Sequence, residues 1–256
     1  TSRLVNEYPN LKILINLSLD GPEKVHDNIR GIKGSHKKVV ASCKAITKLK
    51  KDYKNLYVNI NSVITNKNIK FLPNLMKFVR SNLDVDGHYF EIIRGDIKNK
   101  DFKILDYEEL EKFYRLAIKN EEFYFEKKFK IGKVGLNLGK KVTKIFYIGI
   151  IKYLYKTQMK ILKGKKFEFD CLAGKTSLVI YPRGDVSLCE LRKSIANVKD
   201  YNYDIKKIIE SESWKKELEN IKKENCSCTH NCFIYNTINH NPIIRFLNVP
   251  KEYFLK

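Results

Sequence analysis

The sequence predicts an α/β protein in three parts. Residues 1–100 read as a parallel sheet built from strand–helix–strand units, 101–165 as a helical connector, and 166–256 as a small α+β region with a β-hairpin. Three observations carry this reading. Apolar runs of strand length alternate with helical periodicity through the first hundred residues. Two long helical patterns follow with no strand signal between them. After residue 166, short apolar strands flank a Pro-Arg-Gly-Asp turn, and five of the six cysteines lie beyond that point.

The elements follow in order. "TSRLVNEYPN" has the pattern of a helix tail and a turn, without an initiator Met or a signal peptide, and the expectation is that something upstream is missing. "LKILINLS" (11–18) reads as a buried strand, followed by a Gly/Pro turn. The helix in "SHKKVVASCKAITKLKK" places Val39, Val40, Cys43, Ile46 and Leu49 on one face, so Cys43 reads as a buried core thiol. "LYVNINSVI" (56–64) is a second strand. A helix opens at Pro73 in "PNLMKFVRSNL", since the first helical turn needs no internal N–H partner. "HYFEIIR" (88–94) is the third strand. These spacings imply right-handed crossovers and a parallel sheet. Chemistry in such sheets sits at the carboxyl edge of the strands. The polar residues there are Ser18, Asp20, Asn61, Ser62 and Arg94.

In the connector, "DYEELEKFYRLAIKNEEFYFEKKF" and "KVTKIFYIGIIKYLYKTQMKIL" read as long helices joined by the glycine-rich turn "IGKVGLNLGK". Its glycines do not form a phosphate-binding loop after a strand, so the turn reads as a linker. The second helix is basic and amphipathic, and packing on its own domain is the expected use of such a face. The apolar run "IFYIGII" (145–151), between Lys144 and Lys152, is too short to span a bilayer. Beyond 166, "TSLVIYPRGDVSLC" is a hairpin by composition. Helices near 203–210 and 212–223 lead to the cluster "CSCTHNC".

The net charge of +21 raises nucleic acid as a partner, but the excess is lysine, 42 Lys against 8 Arg, spread along the whole chain. Readers of nucleic acid lean on the planar fork of arginine, so this diffuse bias weighs against nucleic-acid binding. Without a secretory signal, reduced thiols and a cytoplasmic location are the expectation, and clustered cysteines then favour metal over disulfides. Strand pairing brings Cys171 and Cys189 toward each other. Cys226 and Cys228 point the same way in an extended segment, and one helical turn sets Cys232 beside Cys228. A structural zinc and a four-iron cluster each need four such ligands. Widely spaced Cys171 and Cys189 suit zinc knuckles poorly, yet spacing alone leaves both metals open, with His230 as an alternative donor.

"CLAGKTSLVIYPRGDVSLCE", a C-x₁₂-G-x₄-C arrangement, resembles the opening of the SPASM/twitch auxiliary-cluster domain of radical S-adenosylmethionine (radical SAM) enzymes. "CSCTHNC" is similar to the later cysteine group of that family, with Ala196 standing where its turn has glycine. "INLSLDGPEKVHDNIRGIKGSHKKVV" resembles the fourth strand and following turn of the radical SAM partial barrel. "VNINSVITNKNI" and "YFEIIRGD" resemble its fifth and sixth strands. The resemblance implies the carboxyl-terminal portion of a partial (β/α)6 TIM-like barrel, a connector and a twitch domain. It implies an auxiliary 4Fe–4S cluster on ligands drawn from Cys171, Cys189, Cys226, Cys228 and Cys232. It also implies S-adenosylmethionine contacts at Ser18 (ribose) and Arg30 (carboxylate), with Asp20 shaping the turn. The alternatives are a turn cap for Ser18 and an ion pair with Asp27 or Glu23 for Arg30. Such enzymes form a 5′-deoxyadenosyl radical that abstracts hydrogen from a peptide, protein or small-molecule substrate, with electrons from flavodoxin or ferredoxin. The family's C-x₃-C-x₂-C loop is absent from these 256 residues, which implies a chain unable to hold the catalytic cluster alone. The non-enzymatic rival is a zinc-stabilised binding module with a basic surface.

Overall fold

The computed structural model describes residues 2–95, 97, 100–103, 106–129 and 137–255. The chain divides into two compact units, Thr1–Lys141 and Val142–Lys256.

In the first unit, α1 (Ser2–Glu7) precedes β1 (Ile13–Ser18), α2 (Glu23–Arg30), α3 (Ser35–Leu49), β2 (Leu56–Ile64), α4 (Leu72–Asn82), β3 (Gly87–Ile92) and α5 (Tyr107–Lys128). The three strands form one parallel sheet in the order β1-β2-β3. Helix α2 lies where the sequence suggested only a turn: Pro22 precedes it and Gly31 ends it, leaving room for two turns of helix. Helix α4 carries Pro73 in its first turn, as expected.

Strand alternation gives the sheet two unlike faces. Val58, Ile60, Ser62 and Ile64 of β2 and His88, Phe90 and Ile92 of β3 are buried on one. The other aligns Asn16 with Asn59 and Ser18 with Asn61 across β1 and β2, and Asn61 with Tyr89 across β2 and β3. Asn16 and Ser18 are exposed there, and Asn61 and Tyr89 are half-buried. Cys43 is fully buried on α3, and burial pushes its thiol up to about 11, as fits a core thiol. A polar group lies inside the buried face as well. The ring of His88 meets the Ser62 hydroxyl at 2.8 Å, and that hydroxyl donates to the Leu19 carbonyl.

The second unit begins within α6 (Leu138–Leu162) and adds β4 (Val179–Ile180), β5 (Asp185–Ser187), β6 (Ala196–Asn197), α7 (Ile205–Glu210), α8 (Glu212–Lys223), α9 (Asn231–His240) and α10 (Val249–Phe254), the last preceded by a π-helical turn. Of the glycine-rich turn read before α6, residues 131–136 lie outside the described residues, and its last three residues form the start of α6. The hairpin is present as β4 and β5, and β6 adds a third antiparallel strand that the sequence reading lacked. Ala196 pairs with Val186 in that strand and has no positive φ, so the missing glycine leaves the local backbone unstrained. Gly184 does need to be glycine. Its φ is +95°, and a Cβ would stand 2.8 Å from Asn197 Oδ1. Gly149 allows α10 to reach the backbone of α6, where a Cβ would lie 2.4 Å from the Val249 carbonyl oxygen. Among the described residues no helix is long and apolar enough to cross a membrane.

Candidate metal centre

The cysteines come from three segments of the second unit. Cys171 precedes the hairpin, Cys189 follows β5, and Cys226 and Cys228 lie in the loop between α8 and α9. One apolar cluster fixes all three. Val186, Leu188, Ile208, Trp214, Ile221 and Phe233 bury their side chains together with Cys189, and Cys171 and Cys226 pack against them. The indole N–H of Trp214 donates to the Gly174 carbonyl at 3.2 Å, tying α8 to the stretch after Cys171.

The loop bearing Cys226 and Cys228 has its own anchors. Gln158 of α6, almost fully buried, donates to the Thr229 carbonyl at 2.7 Å. The Phe167 amide donates to Ser227 Oγ at 3.1 Å. His230 is fully buried, and its Nε2 stands 2.8 Å from Glu190 Oε2. That ring nitrogen is engaged by a carboxylate beside Cys189.

Four thiols lie within electrostatic reach of one another. Burial raises all four: Cys228 to about 12, Cys189 to about 11, and Cys171 and Cys226 upward as well. Each also feels neighbouring sulfur or carboxylate charge. Cys228 senses Cys189, Cys171 and Cys226, Cys189 senses Cys171 and Cys226, and Cys171 senses Cys226. Thiols in such surroundings are neutral near pH 7 unless a cation displaces their protons. The Leu191 amide donates to Cys189 Sγ at 3.5 Å. The amides of Ala173 and His230 and the positive charge of Arg192 offset part of the rise at Cys171, Cys228 and Cys226 respectively. Donors aimed at sulfur stabilise thiolate over thiol and tune a bound iron–sulfur group. The donor set fits an iron–sulfur cluster. The fifth thiol, Cys232, is exposed on the first turn of α9. Among the described residues, no three His, Cys, Asp or Glu side chains form a group that could hold a single metal ion.

In the first unit, Ser18 ends β1 on the open face beside Asn61, whose Oδ1 is buried with no hydrogen-bond partner among the described residues. Asp20 is only 1% exposed and ties the strand end together. Its Oδ2 accepts Arg30 Nε and Nη2, both at 2.6 Å, and its Oδ1 accepts the Val63 amide at 2.9 Å. Arg30 therefore pairs with Asp20 rather than with Asp27 or Glu23. Asp27 instead accepts the amides of Gly34 and His36, and Glu23 meets Lys37. Two organising residues escaped the sequence reading. His26 is buried and accepts the Asp20 amide at 3.0 Å on Nδ1, so its Nε2–H faces Ser35 Oγ. Asn68 donates to the carbonyls of Asp20 and Val63, both at 2.7 Å. The only sequence signal for Asn68 is the turn composition of "TNKN".

Residues 171–233 match the model of the SPASM family, described as an iron–sulfur cluster-binding domain. No curated protein matches the chain. Among solved structures, "Native anSMEcpe with bound AdoMet and Cp18Cys peptide" aligns at a TM-score of 0.49 and 18% identity, over 99% of this chain and 68% of that one. "Native anSMEcpe with bound AdoMet" aligns at 0.46 and 17%, over 99% and 68%. The complex with the Kp18Cys peptide aligns at 0.47 and 18%, over 86% and 56%. This chain thus spans between 56% and 68% of the length of those three.

Proposed function

We propose that the second unit binds an auxiliary 4Fe–4S cluster on Cys171, Cys189, Cys226 and Cys228, and that the chain acts as the carboxyl-terminal part of a radical SAM enzyme. One observation carries the reading: four thiols from three segments lie near one another, each held neutral by desolvation, with Cys171, Cys189 and Cys226 packed on one apolar cluster. The SPASM match over 171–233 supports it independently. Zn–S bonds of about 2.3 Å would draw four thiolates into a tight tetrahedron. A four-iron cluster places iron and sulfide between its thiolates and suits a wider setting. Cys232, the exposed member, is the thiol left over.

The first unit, in this reading, is the late part of the partial barrel, and its open polar face is where S-adenosylmethionine lies. Ser18 holds the ribose hydroxyls there, with Asn61 Oδ1 beside it as a second acceptor. Asp20 holds Arg30 at the strand end, where its guanidinium would bind the cofactor's carboxylate. When bound, S-adenosylmethionine and its own cluster supply a hydrogen-abstracting carbon radical, and the auxiliary cluster supplies a one-electron or anchoring site. The residues of this chain bind and orient these groups. Peptide, protein and small-molecule substrates all suit this assignment, with flavodoxin or ferredoxin as the electron source.

Metal analysis tests the central claim. Protein purified without oxygen should be brown and carry about four irons and four sulfides per chain. A colourless protein with one tightly held zinc would refute the cluster and favour a zinc-stabilised binding module.

A further inference from the structure

Arg192 stands three residues after Cys189 and joins two segments that carry the proposed ligands. Its own amide donates to the Cys189 carbonyl at 3.1 Å, closing a turn in which the Leu191 amide faces the Cys189 sulfur. Its guanidinium leaves that turn for the end of α8. Nε donates to Glu217, and Nη1 and Nη2 donate to the two oxygens of Glu224 at 2.5 and 3.2 Å. Glu217 is held in turn by Asn220 Nδ2 at 3.0 Å. Glu224 is the C-cap of α8 and lies two residues before Cys226, whose amide closes on the Ile221 carbonyl. The Arg192 side chain is only 17% exposed.

The residue type is informative against the composition. In a chain with 42 lysines and 8 arginines, lysine is the ordinary cation. An ammonium group cannot grip one carboxylate with two nitrogens and a second carboxylate with a third. The planar guanidinium, with five N–H donors in fixed directions, can.

We propose that Arg192 is a positioning residue for the bound cluster: clamped by Glu217 and Glu224, it ties the turn after Cys189 to the segment that leads into Cys226, and its charge raises the cluster's reduction potential. This rests on the cluster reading above. Reduction adds an electron to the cluster, and a guanidinium held between the two ligand-bearing segments stabilises that added charge. The two carboxylates act in the opposite sense while they fix the fork.

The full chain, loaded with its cluster under anaerobic conditions, tests the assignment in wild type, Arg192→Gln, Arg192→Lys and Glu224→Gln. Iron and sulfide analysis comes first, followed by redox titration monitored by electron paramagnetic resonance. Arg192→Gln should shift the reduced-to-oxidised ratio at fixed potential about tenfold toward oxidised, a fall of about 59 mV for one electron. Arg192→Lys should recover part of that shift, and Glu224→Gln should move the potential upward. Opposite signs from two neighbouring substitutions would not arise from loosened packing. Arg192→Gln and Glu224→Gln that hold full iron at the wild-type potential would overturn the proposal. Should Arg192→Gln fail to load, Glu224→Gln decides alone, and an unmoved potential there overturns it equally. A wild-type chain without iron and sulfide would instead bring down the cluster reading itself.

Discussion

Replacing Asp20 by Asn probes the strand end that carries the proposed cofactor contacts. The carboxylate is 1% exposed and accepts Arg30 through two nitrogens, with the Val63 amide on its other oxygen. A hydrogen bond to a charged group contributes about 1.5–3 kcal/mol. Breaking a fully buried ion pair costs about 3–5 kcal/mol. The Arg30 side chain is 37% exposed, so solvent screens its half of the pair and the lower range applies. Asparagine also offers only one acceptor oxygen, and its NH₂ must face either the guanidinium or the Val63 amide, donor against donor. The expected loss is about 2–3 kcal/mol. Arg30→Gln should cost less alone, and the double mutant should show a coupling of about 1–2 kcal/mol with Asp20→Asn. Hydrogen exchange is the suitable assay, because it reads individual amides and does not require the two units to unfold together. The Val63 amide should lose protection in Asp20→Asn by roughly thirtyfold or more, as an opening free energy about 2 kcal/mol lower implies. A change below about 0.5 kcal/mol at Val63 would show that the ion pair does not hold this edge.

Further tests bear on other features. Cys189→Ala should loosen the second unit while the parallel sheet stays folded, because metal binding is coupled to folding where ligands join separate segments; equal resistance of the 166–256 region to limited proteolysis in mutant and wild type would reject this. His88 is fully buried, and desolvation, reinforced by Arg80, lowers its pKa to about 3. Its ring therefore gains a proton on unfolding wherever pH lies between about 3 and its ordinary 6.5. Stability should fall as pH drops through that window, by up to about 1.4 kcal/mol per unit, and His88→Gln should flatten the slope. Parallel pH profiles of exchange at β3 amides would refute the assignment. Finally, the 256-residue chain has no C-x₃-C-x₂-C loop, so with its cluster rebuilt and a strong reductant supplied it should release no 5′-deoxyadenosine. Release by this chain alone would mean that the cluster on 171–232 leaves an iron open.

Local patterns were legible where a short stretch settles its own structure. β2 runs from Leu56 to Ile64, the nine residues read as a strand, because every second side chain is a buried apolar or small group. The hairpin was legible for a similar reason, since Pro182, Arg183 and Gly184 admit little besides a turn. What distance along the chain conceals was not legible. Arg30 has acidic residues three and seven positions before it on its own helix, yet it pairs with Asp20, ten positions away, because α2 stops at Gly31 and turns its last side chain back to the strand end. The place of Cys232 turned on whether α9 starts before or after that cysteine. His230 caps the helix, so Cys232 joins its exposed first turn. Arg192 carried no pattern at all. Its role depends on two glutamates 25 and 32 residues away, brought near by the packing of α8.

The groups that draw the four thiols toward the thiolate differ in how they can change over generations. Three are main-chain amides, of Ala173, Leu191 and His230, and an amide N–H survives every side-chain substitution except proline. Random point changes that preserve the fold therefore leave these three contacts in place. The fourth is encoded by a single codon, that of Arg192. A lineage under selection for a different electron affinity has one inexpensive position to alter, and it can do so while the ligands and the loops that hold them stay the same.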